Sequence, residues 1–244
     1  MESGGKPKIY YSFQESESAN QHTEPYSEGY SYQPAPGKLR FGSAEILQIS
    51  IAILVLTISF VISISNSEIL KGGDFWNINP RFFSSLPVAF FTVLTGFMLH
   101  EMAHKFTAMH YGMWSEFRAS ASGLIMTLVL ALIAGIVFAA PGAVMIFGRP
   151  NKKENGVISA AGPLTNLVIA GLAMLPFLFF GASAMPEFLK ILALINGILA
   201  AFNLLPIPPL DGSKILKWNV GIYLAMAATC ALVLYEINLV AQIW

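Results

Sequence analysis

Six runs of the chain contain no ionisable side chain other than tyrosine or cysteine, and their length strongly constrains the fold. They cover residues 46–67, 82–99, 119–148, 155–186, 191–210 and 218–235. A helix needs roughly 20 apolar residues to cross the hydrocarbon core of a bilayer. Several runs reach that length, and the 244-residue chain is 55% hydrophobic and only 11% charged. The sequence therefore predicts an all-α polytopic membrane protein with about six membrane-embedded segments.

The first 40 residues differ in composition from the rest of the chain. Ser, Glu, Gln, Tyr, Pro and Gly replace most aliphatic residues there, and such a segment buries too little apolar surface to offset the entropy of ordering. We expect a disordered cytoplasmic tail over residues 1–40, acting as a solvated extension or an interaction segment. An integral membrane domain is expected over 41–244. Its predicted spans lie at about 46–65, 83–111, 119–148 (partly re-entrant), 157–181, 190–207 and 218–240.

The positive charges between the runs predict an orientation, because Lys and Arg in short loops mark the cytoplasmic side. Nine of them flank one set of alternating ends, namely Lys38, Arg40, Lys105, Arg118, Arg149, Lys152, Lys153, Lys214 and Lys217. Three fall in the other set, namely Lys71, Arg81 and Lys190. The N-terminus is therefore expected to be cytoplasmic.

The run at 119–148 has positive charges of the cytoplasmic set on both sides, so one simple crossing does not fit it. About twenty helical residues could lead outward and about ten extended residues could return. Extended backbone at that depth needs partners within the protein, because lipid forms no hydrogen bonds. We therefore expect a membrane-embedded β-strand or re-entrant element near 139–149. A short re-entrant hairpin, or a failure of the charge rule, is the alternative.

A motif with metal-binding spacing interrupts the apolar sequence after residue 99. His100, Glu101 and His104 form H-E-x-x-H, which on a helix places both imidazoles on one face with the carboxylate beside them. Ionisable residues inside a membrane are rare and indicate a functional site. The alternative is a set of polar residues that satisfy one another among helices. We favour a metal bound by His100 and His104.

Two residues are candidates for a third ligand. His110 lies ten residues after His100, but a continuing helix would place it about 15 Å further along the axis. It is expected to lie at the interface as a helix-end polar residue. Asp211 follows three prolines, which cannot continue a regular helix, in the segment "FNLLPIPPLDG". The alternative for Asp211-Gly212 is a simple turn, with Asn203 as a hydrogen-bonding residue at the helix end.

These motifs resemble the site-2 protease family of intramembrane zinc metalloproteases. The resemblance rests on "HEMAHKFTAMHYG", on "AAGPLTN" at 160–166 and on "NLLPIPPLDG" at 203–212. It implies one Zn²⁺ per chain held by His100, His104 and Asp211, with Glu101 as the catalytic base. It also implies that Asn203 binds the substrate carbonyl or the developing oxyanion, and that the strand near Gly142 receives the substrate. For Gly162, Pro163 and Asn166 we favour close helix packing over substrate contact.

The expected function is zinc-dependent endoproteolysis in or near the transmembrane segments of other membrane proteins. The expected partners are those substrates and the lipid bilayer. A net charge of zero gives no reason to expect nucleic acid. Two alternatives use the same residues: a membrane metal transporter or channel, and a catalytically idle scaffold stabilised by zinc. The first would show metal flux, and the second would not need Glu101.

Overall fold

The protein is mostly helical in its computed structural model, which describes residues 9–10, 41–69, 80–137, 141–181 and 186–242. The tail predicted over 1–40 lies outside the described residues, apart from Ile9–Tyr10. The helices are α1 (Ser43–Ile69), α2 (Pro80–Val93), α3 (Leu99–His110), α4 (Ala121–Ala134), α5 (Lys152–Phe180), α6 (Glu187–Asn203), α7 (Asp211–Trp218) and α8 (Val220–Gln242). A π-helical turn, Leu94–Met98, joins α2 to α3.

Four segments among the described residues are long and apolar enough to cross a membrane. They are Ser43–Ser63, Ser85–His110, Lys152–Phe180 and Val220–Asn238. Helices α4 and α6 are shorter, with 14 and 17 residues. Large apolar side chains remain exposed on the long and the shorter helices alike. Ile133 of α4 and Phe179 and Phe180 of α5 are each about three-quarters exposed. Exposed apolar surface on this scale indicates an interaction surface for lipid or protein.

A small antiparallel sheet lies between the helices. Strand β2 (Trp114–Ala119) pairs with β3 (Gly142–Phe147), and the two-residue strand β1 (Ile9–Tyr10) pairs with the other edge of β3. Trp114 is opposite Phe147 and Ala119 is opposite Gly142, so the chain leaves through α4 and returns beside its starting strand. The strand predicted near 139–149 is therefore present as β3. Its depth in the membrane stays a prediction.

The outer edge of β2 is closed by side chains. The Phe117 N–H donates to Glu45 Oε1 over 2.8 Å, and the Ala119 N–H donates to Gln48 Oε1 over 2.9 Å. Lys105 Nζ donates to the Ser115 carbonyl over 2.9 Å. An unpaired backbone group in an apolar setting costs as much as a lost hydrogen bond. Helices α1 and α3 thus supply the partners that another strand would otherwise supply.

The ion pair between Glu45 and Lys105 joins α1 to α3. Lys105 Nζ donates to both carboxylate oxygens of Glu45, over 2.6 and 2.8 Å. Neither side chain is more than 1% exposed. Lys105 Nζ also lies 4.5 Å from the centre of the Phe41 ring, a favourable cation–π distance. Each charge is therefore compensated where water does not reach it.

This pairing corrects one element of the sequence-based orientation. Lys105 was assigned to the charges that flank the membrane, but it lies within α3, inside a candidate span, and is neutralised by Glu45. Periodicity shows that Lys105 lies one residue after His104, but it does not show a partner sixty residues earlier. Removing Lys105 from the nine flanking charges leaves eight, against three in the other set.

We predict that Lys105→Met destabilises the protein severely, because it leaves the Glu45 carboxylate buried without a counter-charge. The expected loss is about 3–5 kcal/mol, measured by thermal or denaturant unfolding in detergent. The double variant Glu45→Gln/Lys105→Met should recover much of that loss. Lys153→Met, at an exposed position in the first turn of α5, is the control and should unfold like the wild type. Equal stability of Lys105→Met and the control would contradict the role of this ion pair.

Candidate metal centre

Helix α3 places the two histidines of the motif side by side. His100 and His104 are one turn apart, so both imidazoles project from the same face. Their Nε2 atoms are 3.0 Å apart, and both side chains are buried. The helix begins directly after the π turn, so that α2, the turn and α3 form one continuous helical segment from Pro80 to His110.

Asp211 joins these histidines from a distant part of the chain. Helix α6 ends at Asn203, and α7 begins at Asp211 after a proline-rich turn, as the prolines predict. Asp211 Oδ2 lies 3.5 Å from His100 Nε2 and 3.2 Å from His104 Nε2. Burial alone would raise the pKa of the Asp211 carboxyl, but the charge on His104, hydrogen bonds from both imidazoles and nearby Lys214 hold that pKa well below its usual range. Asp211 is therefore an ionised carboxylate.

The three side chains fit a zinc ion. Their ligand atoms all lie within 4.8 Å of one another, and the closest separations of 3.0, 3.2 and 3.5 Å are close to the roughly 3.4 Å between ligand atoms of tetrahedral zinc. Two nitrogens and one carboxylate oxygen are a donor set that zinc accepts in catalytic sites, where a fourth position stays open. His100, His104 and Asp211 are thus a candidate zinc site.

The outward nitrogens of both imidazoles have acceptors, which strengthens this assignment. His104 Nδ1 lies 2.7 Å from the Ile158 carbonyl oxygen, and His100 Nδ1 contacts Asn166 Oδ1. Because a carbonyl oxygen only accepts, the His104 Nδ1 carries the proton. In the neutral imidazoles that metal binding requires, the Nε2 lone pairs then face each other and the Asp211 carboxylate. Such an arrangement needs a positive charge at its centre.

Helix α5 approaches the centre at Gly162. A Cβ atom at this position would lie 2.5 Å from the Nε2 atoms of both His100 and His104, closer than any normal contact. The absence of a side chain therefore makes room for the metal centre. Sequence reasoning assigned Gly162 to helix packing, and the structure shows that its packing partners are the imidazoles themselves.

Asn166 has a contact that sequence reasoning missed. It is fully buried in α5, one turn after Gly162, and its side-chain oxygen faces His100. The sequence signal that indicates this contact is the spacing of four residues between Gly162 and Asn166, which places both residues on one helix face. The same helix begins with a capping box formed by Asn151 and Glu154. Pro163 is also buried in this helix.

Glu101 lies in a cavity that it shares with the candidate zinc site. The cavity has a volume of about 80 Å³ and is lined by the three candidate ligands, by Asn203 and by residues of β3. Glu101 Oε2 accepts a hydrogen bond from the Val144 N–H over 3.0 Å. A carboxylate, a metal site and a strand edge therefore meet in one place.

The other predicted site residues lie at different distances from this cavity. Asn203 lines it, and its side-chain Nδ2 donates to the Leu199 carbonyl over 3.0 Å. Gly142 begins β3, and a Cβ there would lie 2.4 Å from the Arg118 carbonyl oxygen, so its missing side chain serves the approach of β2. Ala143, Val144 and Ile146 line the cavity. His110 is the exposed last residue of α3.

Comparison with known proteins supports the same assignment. A sequence profile described as Peptidase family M50 matches residues 180–240. The Methanocaldococcus jannaschii protein MJ0611, named as a candidate zinc metalloprotease, is 41% identical over 182 residues, which cover 74% of this chain and 87% of that protein. Bacillus subtilis YwhC, named in the same way, is 30% identical over 157 residues, which cover 55% of this chain and 69% of that protein. No solved structure matches the chain.

A third relative, zinc metalloprotease MJ0392 of M. jannaschii, is 26% identical over 174 residues, covering 71% of this chain and 43% of its own length. The extent of the match to MJ0611 and the His-His-Asp site point to the same family as the sequence motifs. The chain belongs to peptidase family M50, the site-2 protease family of zinc metalloproteases.

Proposed function

We propose that the protein is a zinc-dependent intramembrane endopeptidase that cleaves peptide bonds in or near transmembrane segments of other proteins. The observation that carries this proposal is the shared cavity. The candidate zinc site, the Glu101 carboxylate and the edge of β3 line it together. The two histidines and Glu101 lie within a segment that is long and apolar enough to span a membrane. A substrate embedded in the membrane could therefore meet all three groups at once.

Glu101 is the proposed general base. Bound zinc supplies Lewis-acid polarisation of the substrate carbonyl and lowers the pKa of water at its open position. The Glu101 side chain lines the same cavity as the three candidate ligands, so its carboxylate is close to the position of the attacking water. It takes a proton from the attacking water and gives it to the leaving amine as the peptide bond breaks. Asp211 and the two histidines stay in place during both transfers.

The edge of β3 that faces away from β2 is the proposed binding surface for the substrate backbone, which would replace β1 beside Ile146 and Phe147. Phe117 and Val144 are opposite each other, and their N–H groups donate away from the sheet, to Glu45 and Glu101. In an antiparallel pair the direction alternates along the strand, so the N–H groups of Gly142 and Ile146 also point away from β2. A helix must unwind to expose its carbonyls, and pairing with an edge strand replaces its lost hydrogen bonds.

Substrate docking at this edge has a consequence for Glu101. The Val144 N–H that now donates to Glu101 is one of the donors that a docked strand would use. A substrate carbonyl that takes this donor releases the carboxylate toward the cavity, where it acts as the base. Substrate docking and the release of Glu101 to act as a base are thus linked through the Val144 N–H.

Asn203 and Gly142 complete the proposed substrate site. Rotation of the Asn203 side chain away from the Leu199 carbonyl directs its amide into the cavity, where it donates to the substrate carbonyl or the developing oxyanion. Gly142 contributes its outward backbone groups, and its missing side chain keeps β2 and β3 in register against each other. Neither role requires a change in the backbone around the candidate zinc site.

The proposed membrane arrangement includes the two shorter helices. With α4 and α6, the protein has six membrane-embedded segments and a cytoplasmic N-terminus with a solvated tail over 1–40. Arg118 lies in β2 and is not counted here, so seven flanking positive charges on that side support this orientation. The sheet then lies within the membrane, with β2 protected by α1 and α3 and β3 facing the cavity. Membrane-protein substrates and lipid are the proposed partners.

We predict that Glu101→Gln abolishes cleavage while zinc stays bound, because the amide keeps the shape of the side chain but does not accept a proton. The rate of peptide-bond cleavage should fall by about 100- to 10,000-fold. The measurement is mass spectrometry of protein termini in membranes that carry either the wild type or the variant. New termini inside predicted spans should appear only with the wild type. Zinc content of the purified proteins is measured in parallel.

Glu187→Gln is the matched control, since Glu187 is an exposed carboxylate at the start of α6. It should give the same termini as the wild type. Identical termini with Glu101→Gln would show that Glu101 is dispensable and would favour the idle scaffold. If neither protein produces new termini but vesicles containing the wild type transport zinc, the transporter hypothesis replaces the protease.

We predict that Ile146→Pro slows cleavage at least tenfold more than Ile146→Ala does. Both variants lose the buried side chain, but only proline removes the N–H that faces away from β2. Neither substitution touches Glu101 or its hydrogen bond to Val144. Cleavage of an identified substrate and zinc content are the two measurements. Equal rates for the two variants, with zinc retained in both, would refute pairing of the substrate with the edge of β3.

A further inference from the structure

A chain of buried hydrogen bonds leads away from His100 into the protein. Asn166 Oδ1 contacts His100 Nδ1, while Asn166 Nδ2 donates to the Gly96 carbonyl over 2.8 Å and to Asn196 Oδ1 over 2.9 Å. Asn166 and Asn196 are both 0% exposed. The chain connects α3, α5, α6 and the π turn through four residues.

The outer end of this chain is anchored on backbone and hydroxyl groups. Asn196 Nδ2 donates to the Leu192 carbonyl over 2.9 Å and lies 3.3 Å from Thr95 Oγ1. Because Asn196 uses its amide nitrogen there, it presents its oxygen to Asn166. Asn166 must then present its own nitrogen to Asn196 and its oxygen to His100. The direction of every bond in the chain is set by the carbonyl acceptors at its ends.

We propose that Asn166 and Asn196 are positioning residues of the metal centre. Together they hold the His100 ring with its proton on Nδ1, so that Nε2 presents a lone pair beside His104 and Asp211. Reversal of the Asn166 amide would place its oxygen against the Gly96 carbonyl and its nitrogen against the proton on His100. This inference rests on the proposed role of His100 as a zinc ligand.

The π turn explains why the chain passes through Gly96. This turn ends at Met98, two residues before His100, and π turns of this kind widen the helix and disturb its regular hydrogen bonding. The Gly96 carbonyl accepts from Asn166 instead of relying on the helix alone. A Cβ at Gly96 would lie 2.8 Å from Leu199 Cδ1 of α6, so the turn also lies close against the helix that carries Asn196. One side chain thus fixes both the turn and the ring that follows it.

A purely structural role makes a different prediction. Buried asparagine pairs also hold membrane helices together, and in that case their loss would lower stability without changing the affinity for zinc. A positioning role predicts that zinc affinity changes, because partners of ligating histidines typically contribute about 10- to 100-fold to metal affinity. The two roles are therefore separated by measuring zinc affinity and the stability of the metal-free protein on the same samples.

The experiment uses the purified full-length chain in detergent. Zinc affinity is measured by competition with a chromophoric chelator, the visible spectrum of the Co²⁺-loaded protein reports ligand geometry, and thermal unfolding reports the stability of the metal-free form. Asn166→Leu should weaken zinc binding by about 10- to 100-fold and alter the Co²⁺ spectrum. Asn166→Asp keeps the acceptor for His100, so it should retain zinc affinity to within a few-fold even if its stability falls.

Asn196→Leu tests the outer part of the chain and serves if Asn166→Leu does not fold. It should weaken zinc binding less than Asn166→Leu does, and the double variant should bind zinc no more weakly than Asn166→Leu alone, because the two residues act in series. Thr92→Val is the matched control. Thr92 is buried in α2, and its hydroxyl has no hydrogen-bond partner among the described residues. Its zinc affinity should equal that of the wild type.

Wild-type zinc affinity and Co²⁺ spectrum in Asn166→Leu, with lower stability, would overturn the proposal and leave a packing role. Failure of Asn166→Asp to restore affinity would also count against it. His100→Ala separates this outcome from failure of the proposed function. If His100→Ala itself binds zinc like the wild type, the assignment of the zinc site is wrong; if it loses zinc while Asn166→Leu does not, only the positioning role is wrong.

Discussion

Polar groups buried in this apolar protein must find their partners within the chain, and the Glu45 carboxylate does this for three elements. It binds Lys105 of α3 and the Phe117 N–H of β2 from its place at the start of α1. With Gln48, it closes the outer edge of β2. Among the described strands, β3 is left as the one that turns a partly free edge toward Glu101. The position of the candidate substrate edge thus depends on an ion pair well outside the cavity.

The same requirement explains how the candidate zinc site is assembled. His100 and His104 come from α3, Asp211 from the start of α7, and the acceptors for both imidazoles from α5. No two of these helices follow each other in sequence. Metal binding should therefore be strongly coupled to the folding of the whole domain, since the unfolded chain has no preformed site. Gly162 allows this assembly because α5 must pass directly beside both Nε2 atoms.

The sequence was sufficient for features that depend on local periodicity and chain breaks. The H-E-x-x-H spacing predicted two imidazoles on one helix face, and the prolines after Asn203 predicted the end of α6 before Asp211. The charge pattern around 119–148 predicted a returning strand, although α4 is shorter than the expected helix because the chain turns at Gly135, which has a left-handed backbone conformation. Each of these inferences needed only neighbouring residues and the known geometry of helices and strands.

Contacts between residues far apart in the chain could not be predicted from local periodicity. Lys105 follows a histidine of the motif and precedes the end of a helix, so its sequence surroundings suggest a flanking charge. Only the tertiary contact with Glu45 shows that it is buried. Asn166 and Asn196 are likewise single polar residues on apolar helices, thirty positions apart, and nothing local pairs them. Helix α6 carries Asn196, which bonds to the Asn166 side chain beside His100. The same helix leads through the proline-rich turn to Asp211. A displacement of α6 would disturb both sides of the zinc site together, which makes its packing against α5 and α8 as important to the chemistry as the motif itself.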